Sequence, residues 1–236
     1  MKNTLLSILF SLVSSFTYSQ NNYSEYYNSA LINDSLKDFP AAIHDLDNSL
    51  QLKPEFDSAL CLLGLIKFKK GEYKEAVRLF DKVIKLSPNY FDALYGRGSA
   101  KAQMKDYSGV IKDFNKCVLI NSNNPKVYYN RALAKGYLDD YSAAILDLNK
   151  ALVLDDKYIS AYYSRAFWED LSGNYDEAIT DYKKVIQLDV NYREAYIGMA
   201  TAMYQHGEKV AACEVLKTAA EKGSIMAEEI INKLCN

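Results

Sequence analysis

Apolar side chains recur along the chain at spacings of three and four, and that short pattern itself repeats at a longer interval. Tyr73, Ala76, Phe80 and Val83 mark one face of a helix, with Lys74, Arg78, Asp81 and Lys82 on the other. Stepping on by 34 residues gives Tyr107, Val110, Phe114 and Cys117, then Tyr141, Ala144, Leu148 and Ala151, then Tyr175, Ala178, Tyr182 and Val185. Stepping back gives Phe39, Ala42, Leu46 and Ser49, and the last copy reads Lys209, Ala212, Leu216 and Ala219. A second series precedes each of these. Large Tyr26, Leu60, Leu94, Tyr128, Tyr162 and Tyr196 are followed four positions later by small Ala30, Gly64, Gly98, Ala132, Ala166 and Ala200. A large and a small side chain one turn apart let two helices approach closely.

Breakers fall between the helices and not within them. Gly71, Gly173 and Gly207 supply the positive φ of a helix-ending turn between the two halves of a copy. Pro54 and Pro88 lie between copies, Pro125 opens one, and Pro40 sits in the first turn of a second helix. The spacing predicts six helix-turn-helix copies over 23–56, 57–90, 91–124, 125–158, 159–192 and 193–222. Two short helices cannot bury their apolar faces alone, so the copies must stack on one another. Beyond Gly223, residues 223–236 predict one more helix, with Ala227, Ile230, Ile231 and Leu234 on the face that caps the last copy.

These motifs resemble the tetratricopeptide repeat (TPR) family. Asp57–Tyr90 and Ile159–Tyr192 carry its large/small, Gly-x-Tyr, Ala and aromatic pattern almost in full. Ser29, Lys37 and Ser49 weaken the first copy, and Lys209 replaces the aromatic residue of the last. The resemblance implies an all-α fold, a right-handed α-solenoid of six repeats plus a C-terminal capping helix. It also implies a scaffold that binds a protein or peptide in a concave groove lined by the first helices. On those helices Tyr95, Tyr129 and Tyr163, with Phe68, Leu133, Phe167 and Tyr204, stand one turn from the core face and are the candidate peptide-binding residues. Tyr27 and Leu65 occupy comparable places; packing against the next repeat is the competing role for all of them. The Lys/Asn/Arg clamp of the chaperone-binding members is represented only by isolated matches at Lys126 and Asn130, so a C-terminal carboxylate ligand is disfavoured.

The copies also form a small internal alignment. Their seventh residues are Ser29, Leu63, Arg97, Arg131, Arg165 and Met199, and sixteen residues later stand Asp45, Leu79, Asp113, Asp147, Asp181 and Val215. Every Arg has an Asp and the large apolar residues have apolar partners. The correlation predicts structural ion pairs Arg97–Asp113, Arg131–Asp147 and Arg165–Asp181, although shared duplication history would produce it without contact.

Composition adds bounds. A chain of 236 residues with 49% hydrophobic and 25% charged content builds a core and is not globally disordered. A net charge of −2 gives no general attraction to nucleic acid or anionic lipid. The 20 tyrosines mark either a recognition surface or a packing position reused by each copy. His44 and His206 are the only histidines and neither has a second ligand at helical spacing, so no metal site is expected. Phosphate-binding loops and nucleophile elbows are absent, which predicts a protein that is not an enzyme and holds no cofactor. Asp139–Asp140 and Asp155–Asp156 fall at helix junctions, where carboxylates cap.

Met1–Gln20 reads as a cleaved secretory signal: Lys2, an apolar and Ser-rich run from Leu5 to Phe16, then Thr17 and Ser19 at a small-x-small cleavage spacing. Removal of 1–19 leaves a short segment, 20–22, before the first copy. With no cysteine following the apolar run and no later stretch of membrane-spanning length, the expected product is periplasmic or secreted, without a lipid anchor. Cys117 replaces the Ala or Val of other copies and is expected to be a buried thiol. Cys213 and Cys235 lie in the last copy and the cap, and the sequence leaves open whether they are bridged. The two functions these features allow are a partner-binding scaffold in an envelope or secreted complex and, alternatively, a homo-oligomer held together by its repeats.

Overall fold

The computed structural model describes residues 22–235, so the secretory signal read in Met1–Gln20 lies outside the described residues. Among those residues the chain forms thirteen helices and no strand. They are α1 (22–35), α2 (Phe39–Leu52), α3 (Asp57–Lys69), α4 (Tyr73–Leu86), α5 (Phe91–Gln103), α6 (Tyr107–Ile120), α7 (Pro125–Gly136), α8 (Tyr141–Leu154), α9 (Ile159–Leu171), α10 (Tyr175–Leu188), α11 (Arg193–Gln205), α12 (Lys209–Glu221) and α13 (Ile225–Leu234). The architecture is an all-α solenoid of helix pairs.

Each pair turns in the same way. The residue before the second helix's cap is left-handed in every copy: Lys37 (φ 61°), Gly71 (79°), Lys105 (60°), Asp139 (60°), Gly173 (82°) and Gly207 (100°). The following amide then reaches back to the first helix, as in Glu72 N–H to the Lys67 carbonyl at 2.9 Å and Asp106 N–H to the Lys101 carbonyl at 2.9 Å. This pair of features closes a helix end by satisfying its orphan carbonyls. Glycine marks only half of these turns in the sequence; at the other half an L-residue adopts a conformation that costs roughly 1–2 kcal/mol. Lys105→Gly is therefore expected to raise stability by about 0.5–1 kcal/mol, read as a higher urea midpoint at unchanged slope. Asp139→Gly should gain less, because Asp139 also accepts a hydrogen bond from the Tyr141 hydroxyl at 3.0 Å.

The chain divides into two compact units, one ending at Gly109 and one beginning at Val110, within the first turn of α6. In the first, Phe80 is fully buried and its ring lies where side chains on Gly64 and Gly96 would stand, 2.8 and 2.5 Å from the ideal Cβ positions. Ser49, which the sequence marks as a weakness, is fully buried and donates to the Tyr23 carbonyl at 2.7 Å. Ser29 likewise donates to Asp45 at 2.6 Å, so both polar departures from the pattern are satisfied. Tyr26 is 37% exposed, whereas Leu60, Leu94, Tyr128 and Tyr196 of its series are buried. No described helix precedes α1 to cover it.

In the second unit Tyr182 is buried against Gly198 and Trp168 against Gly136, with ideal Cβ positions 2.5 and 2.4 Å from the rings. The cap α13 begins at Ser224, whose hydroxyl accepts from Ala227 N–H at 3.3 Å. Ala227 is buried and Ile230 and Ile231 pack on the core, but Leu234 is 45% exposed, so the apolar face ends earlier than its spacing suggests. A Cys213–Cys235 disulfide anchors the end of the cap to α12 instead. Cys61 and Cys117 are buried and outside any disulfide.

Closing a loop of 22 residues of separation should contribute roughly 3 kcal/mol to the C-terminal end. Cys213→Ser is accordingly expected to melt α12 and α13 before the rest, as seen by amide exchange. Denatured, unreduced protein should titrate as two thiols, and four should appear after reduction.

Candidate functional site

The site is built from the second unit. On α7, Tyr129 and Leu133 are four residues apart, and Tyr137 follows by another four just past the helix end. On α9, Ser160, Tyr163, Ser164 and Phe167 fall on one helical stripe, with Trp168 beside them. Together with Tyr192, which precedes α11, these residues line a cavity of about 470 Å³. No charged side chain is among them.

The walls hold one another in place. Tyr129 packs against Tyr158 with ring centroids 4.9 Å apart. Tyr163 lies between Tyr192 at 5.2 Å and the edge of Tyr182 at 5.7 Å. Trp168 stacks on Tyr141 at 5.4 Å and 11°, and meets Phe167 edge-on at 4.7 Å. Burial pushes the phenol of Tyr163 above its ordinary pKa, with the Glu194 carboxylate adding to the shift. The tyrosines are thus packing residues on one edge and cavity walls on the other, and Phe167 remains 40% exposed.

Of the candidates read from the sequence, Tyr129, Leu133, Tyr163 and Phe167 meet in this cavity. The others do not join it. Phe68 packs on Tyr73 at 5.6 Å and Tyr95 stacks with Phe91 at 6.1 Å, both in the first unit. Tyr204 lies beneath the Lys209 ammonium at 5.3 Å. Sequence reasoning missed Tyr137, Trp168 and Tyr192. A signal existed for Tyr192, because Phe56, Tyr90, Tyr158 and Tyr192 close four copies at the same spacing. Trp168 stands where other copies have Ile or Ala, and it fits because Gly136 opposes it.

Arginines at one repeat position make a second recurring feature. Arg131 grips Asp147 in bidentate fashion at 2.6 and 2.8 Å and also donates to Asn115 at 2.7 Å. Arg165 repeats the arrangement with Asp181 at 2.6 and 2.7 Å and Asn149 at 2.6 Å. In the first unit Arg97 donates to Asp81 at 2.6 Å, and in the second Asp113 is buried at 2% exposure. Each of Arg131 and Arg165 therefore ties the second helix of its own pair to that of the preceding pair. The sequence correlation carries only the first of these links. The bidentate bonds to Asp181 hold the Arg165 guanidinium above its usual pKa, and such forks are strong because both partners are charged and planar. These charges are occupied within the fold.

Two buried polar side-chain atoms on α9, Trp168 Nε1 and Asp170 Oδ1, have no hydrogen-bond partner. No cluster of His, Cys, Asp or Glu able to hold a metal ion occurs among the described residues.

Family profiles described as TPR repeat match residues 64–105 and 171–207, and profiles described as tetratricopeptide repeat match 91–124 and 125–158. The chain belongs to the tetratricopeptide repeat family. Among solved structures, a MamA protein is 28% identical, with a TM-score of 0.69 over 76% of this chain and 96% of that one. A tetratricopeptide repeat protein from Parabacteroides merdae is 21% identical (TM-score 0.73, 86% and 81% covered). PilF of Pseudomonas aeruginosa is 15% identical (TM-score 0.74, 91% and 99% covered); both of these show the shared fold alone. No curated protein matches the sequence. Tetratricopeptide repeat proteins bind protein partners, and the fold of this chain is that of a protein-interaction scaffold. Among the described residues no helix is long and apolar enough to cross a membrane.

Proposed function

We propose that this tetratricopeptide repeat protein is an exported, non-catalytic scaffold that holds a segment of another protein against α7 and α9, within a complex of the cell envelope or outside the cell. The observation that carries this reading is the aromatic cavity. Its rings are fixed by mutual packing, so they lose little conformational freedom on binding, and they offer large amphipathic surface. The Cys213–Cys235 disulfide supports an oxidising compartment, in keeping with the signal read in Met1–Gln20.

Selection of a displayed library of random dodecapeptides on the folded chain tests the binding site. Phe167→Ala is expected to weaken selected peptides at least about tenfold while leaving stability nearly unchanged, since the ring is partly exposed. Peptides indifferent to both Phe167→Ala and Tyr129→Ala would reject the cavity as the site. Concentration-dependent dimers in light scattering, dispersed by Phe167→Ala, would instead show that a second copy fills it. Export predicts a mature chain beginning at Gln20 in the envelope or medium fraction, and an unprocessed cytosolic chain would reject it.

A further inference from the structure

Resting on the reading of the cavity as a peptide site, one further feature selects the chemistry of the segment it receives. Ser160, Tyr163 and Phe167 line the cavity from one stripe of α9, and the next residue on that stripe, three positions on, is Asp170. Asp170 Oδ1 is buried and has no hydrogen-bond partner. Burial alone pushes its carboxyl above the ordinary carboxylate range, with no cation offsetting it. The other carboxylates buried nearby are treated differently. Asp147 and Asp181 each receive a bidentate guanidinium. A carboxylate left without such a partner does nothing for the free fold and is costly to bury. On α11, the Glu194 carboxylate lies close enough to Tyr163 and Tyr192 to raise both phenols, adding to the effect of burial. The cavity thus presents aromatic faces and no charged lining residue, with the Asp170 carboxylate next along its α9 wall and the Glu194 carboxylate near Tyr163 and Tyr192.

We infer that the partner segment carries an arginine, whose guanidinium stacks on the aromatic walls and forms with Asp170 the ion pair that the free chain lacks. A guanidinium fits both halves of the site: its planar faces stack on rings and its edge forks onto a carboxylate, which an ammonium does less well. The same charges disfavour a segment ending in a free carboxylate.

The dodecapeptide selection, repeated on the full chain and on Asp170→Asn, tests this. Arginine should be enriched at one position on the wild type and not on the variant. For a synthetic selected peptide, Asp170→Asn should weaken binding at least about tenfold, and replacing that arginine by neutral citrulline should cost as much. The citrulline effect should largely vanish in Asp170→Asn, and this variant should be no less stable than wild type by thermal melting. Peptides that need Phe167 yet show neither arginine enrichment nor sensitivity to Asp170→Asn would overturn the inference and leave the cavity reading standing. Peptides indifferent to both Phe167→Ala and Tyr129→Ala would remove both. A marked loss of stability in Asp170→Asn would identify the carboxylate as structural and also overturn the inference.

Discussion

Arg165→Leu is expected to destabilise the protein by about 3–5 kcal/mol, because it leaves Asp181 ionised and unpaired in the interior. Asp181 is 5% exposed, and its ion pair is with Arg165 at 2.6 Å. The same change releases Asn149 of the preceding pair, so two helix contacts loosen at once. Arg131→Leu should cost less, because Lys135 Nζ also lies 2.8 Å from Asp147 and can keep that carboxylate partnered. Replacing both members, Arg165→Leu with Asp181→Leu, should recover much of the loss, since a well-packed apolar pair can be as stable as a buried ionic one. Urea denaturation of the single and double variants gives the coupling. Additive losses would mean that the pair contributes nothing as a pair.

Phe80→Ala should lose a comparable amount, about 3–5 kcal/mol, in the first compact unit. The ring is fully buried between Gly64 and Gly96, two residues with no side chain to move into the space it would vacate. Gly96→Ala should itself destabilise by roughly 1–3 kcal/mol, because the added carbon meets the ring at 2.5 Å. In a Phe80→Leu background that penalty should shrink towards zero, the smaller side chain making room for the new methyl. Thermal unfolding of the four variants decides it, and an unchanged Gly96→Ala penalty in the Phe80→Leu protein would refute the packing account.

Much of the scaffold was legible because burial is written locally. Ala76, Phe80 and Val83, and their counterparts in every copy, repeat one helical face at one period, and no distant residue is needed to read it. The turns were half legible. Gly71, Gly173 and Gly207 betray a left-handed residue, whereas Lys37, Lys105 and Asp139 adopt the same conformation under the pull of the closed turn and carry no local sign. The site was less legible still. Tyr95 and Tyr129 hold the same place in their copies, yet only Tyr129 has an aromatic partner at the end of its copy, Tyr158 against Asn124, and only Tyr129 faces the cavity.

By itself the sequence determined that this chain is all-helical, built of stacked pairs, and a member of a protein-binding repeat family, because each pair carries its own buried face within a few turns of chain. The tertiary structure alone decided what happens between pairs. It set Trp168 on Gly136, bridged Cys213 to Cys235, gave Arg131 and Arg165 their second anchors on Asn115 and Asn149, and left Asp170 without one. Those outcomes depend on which side chain stands opposite in the neighbouring pair, and spacing along the chain holds no record of that.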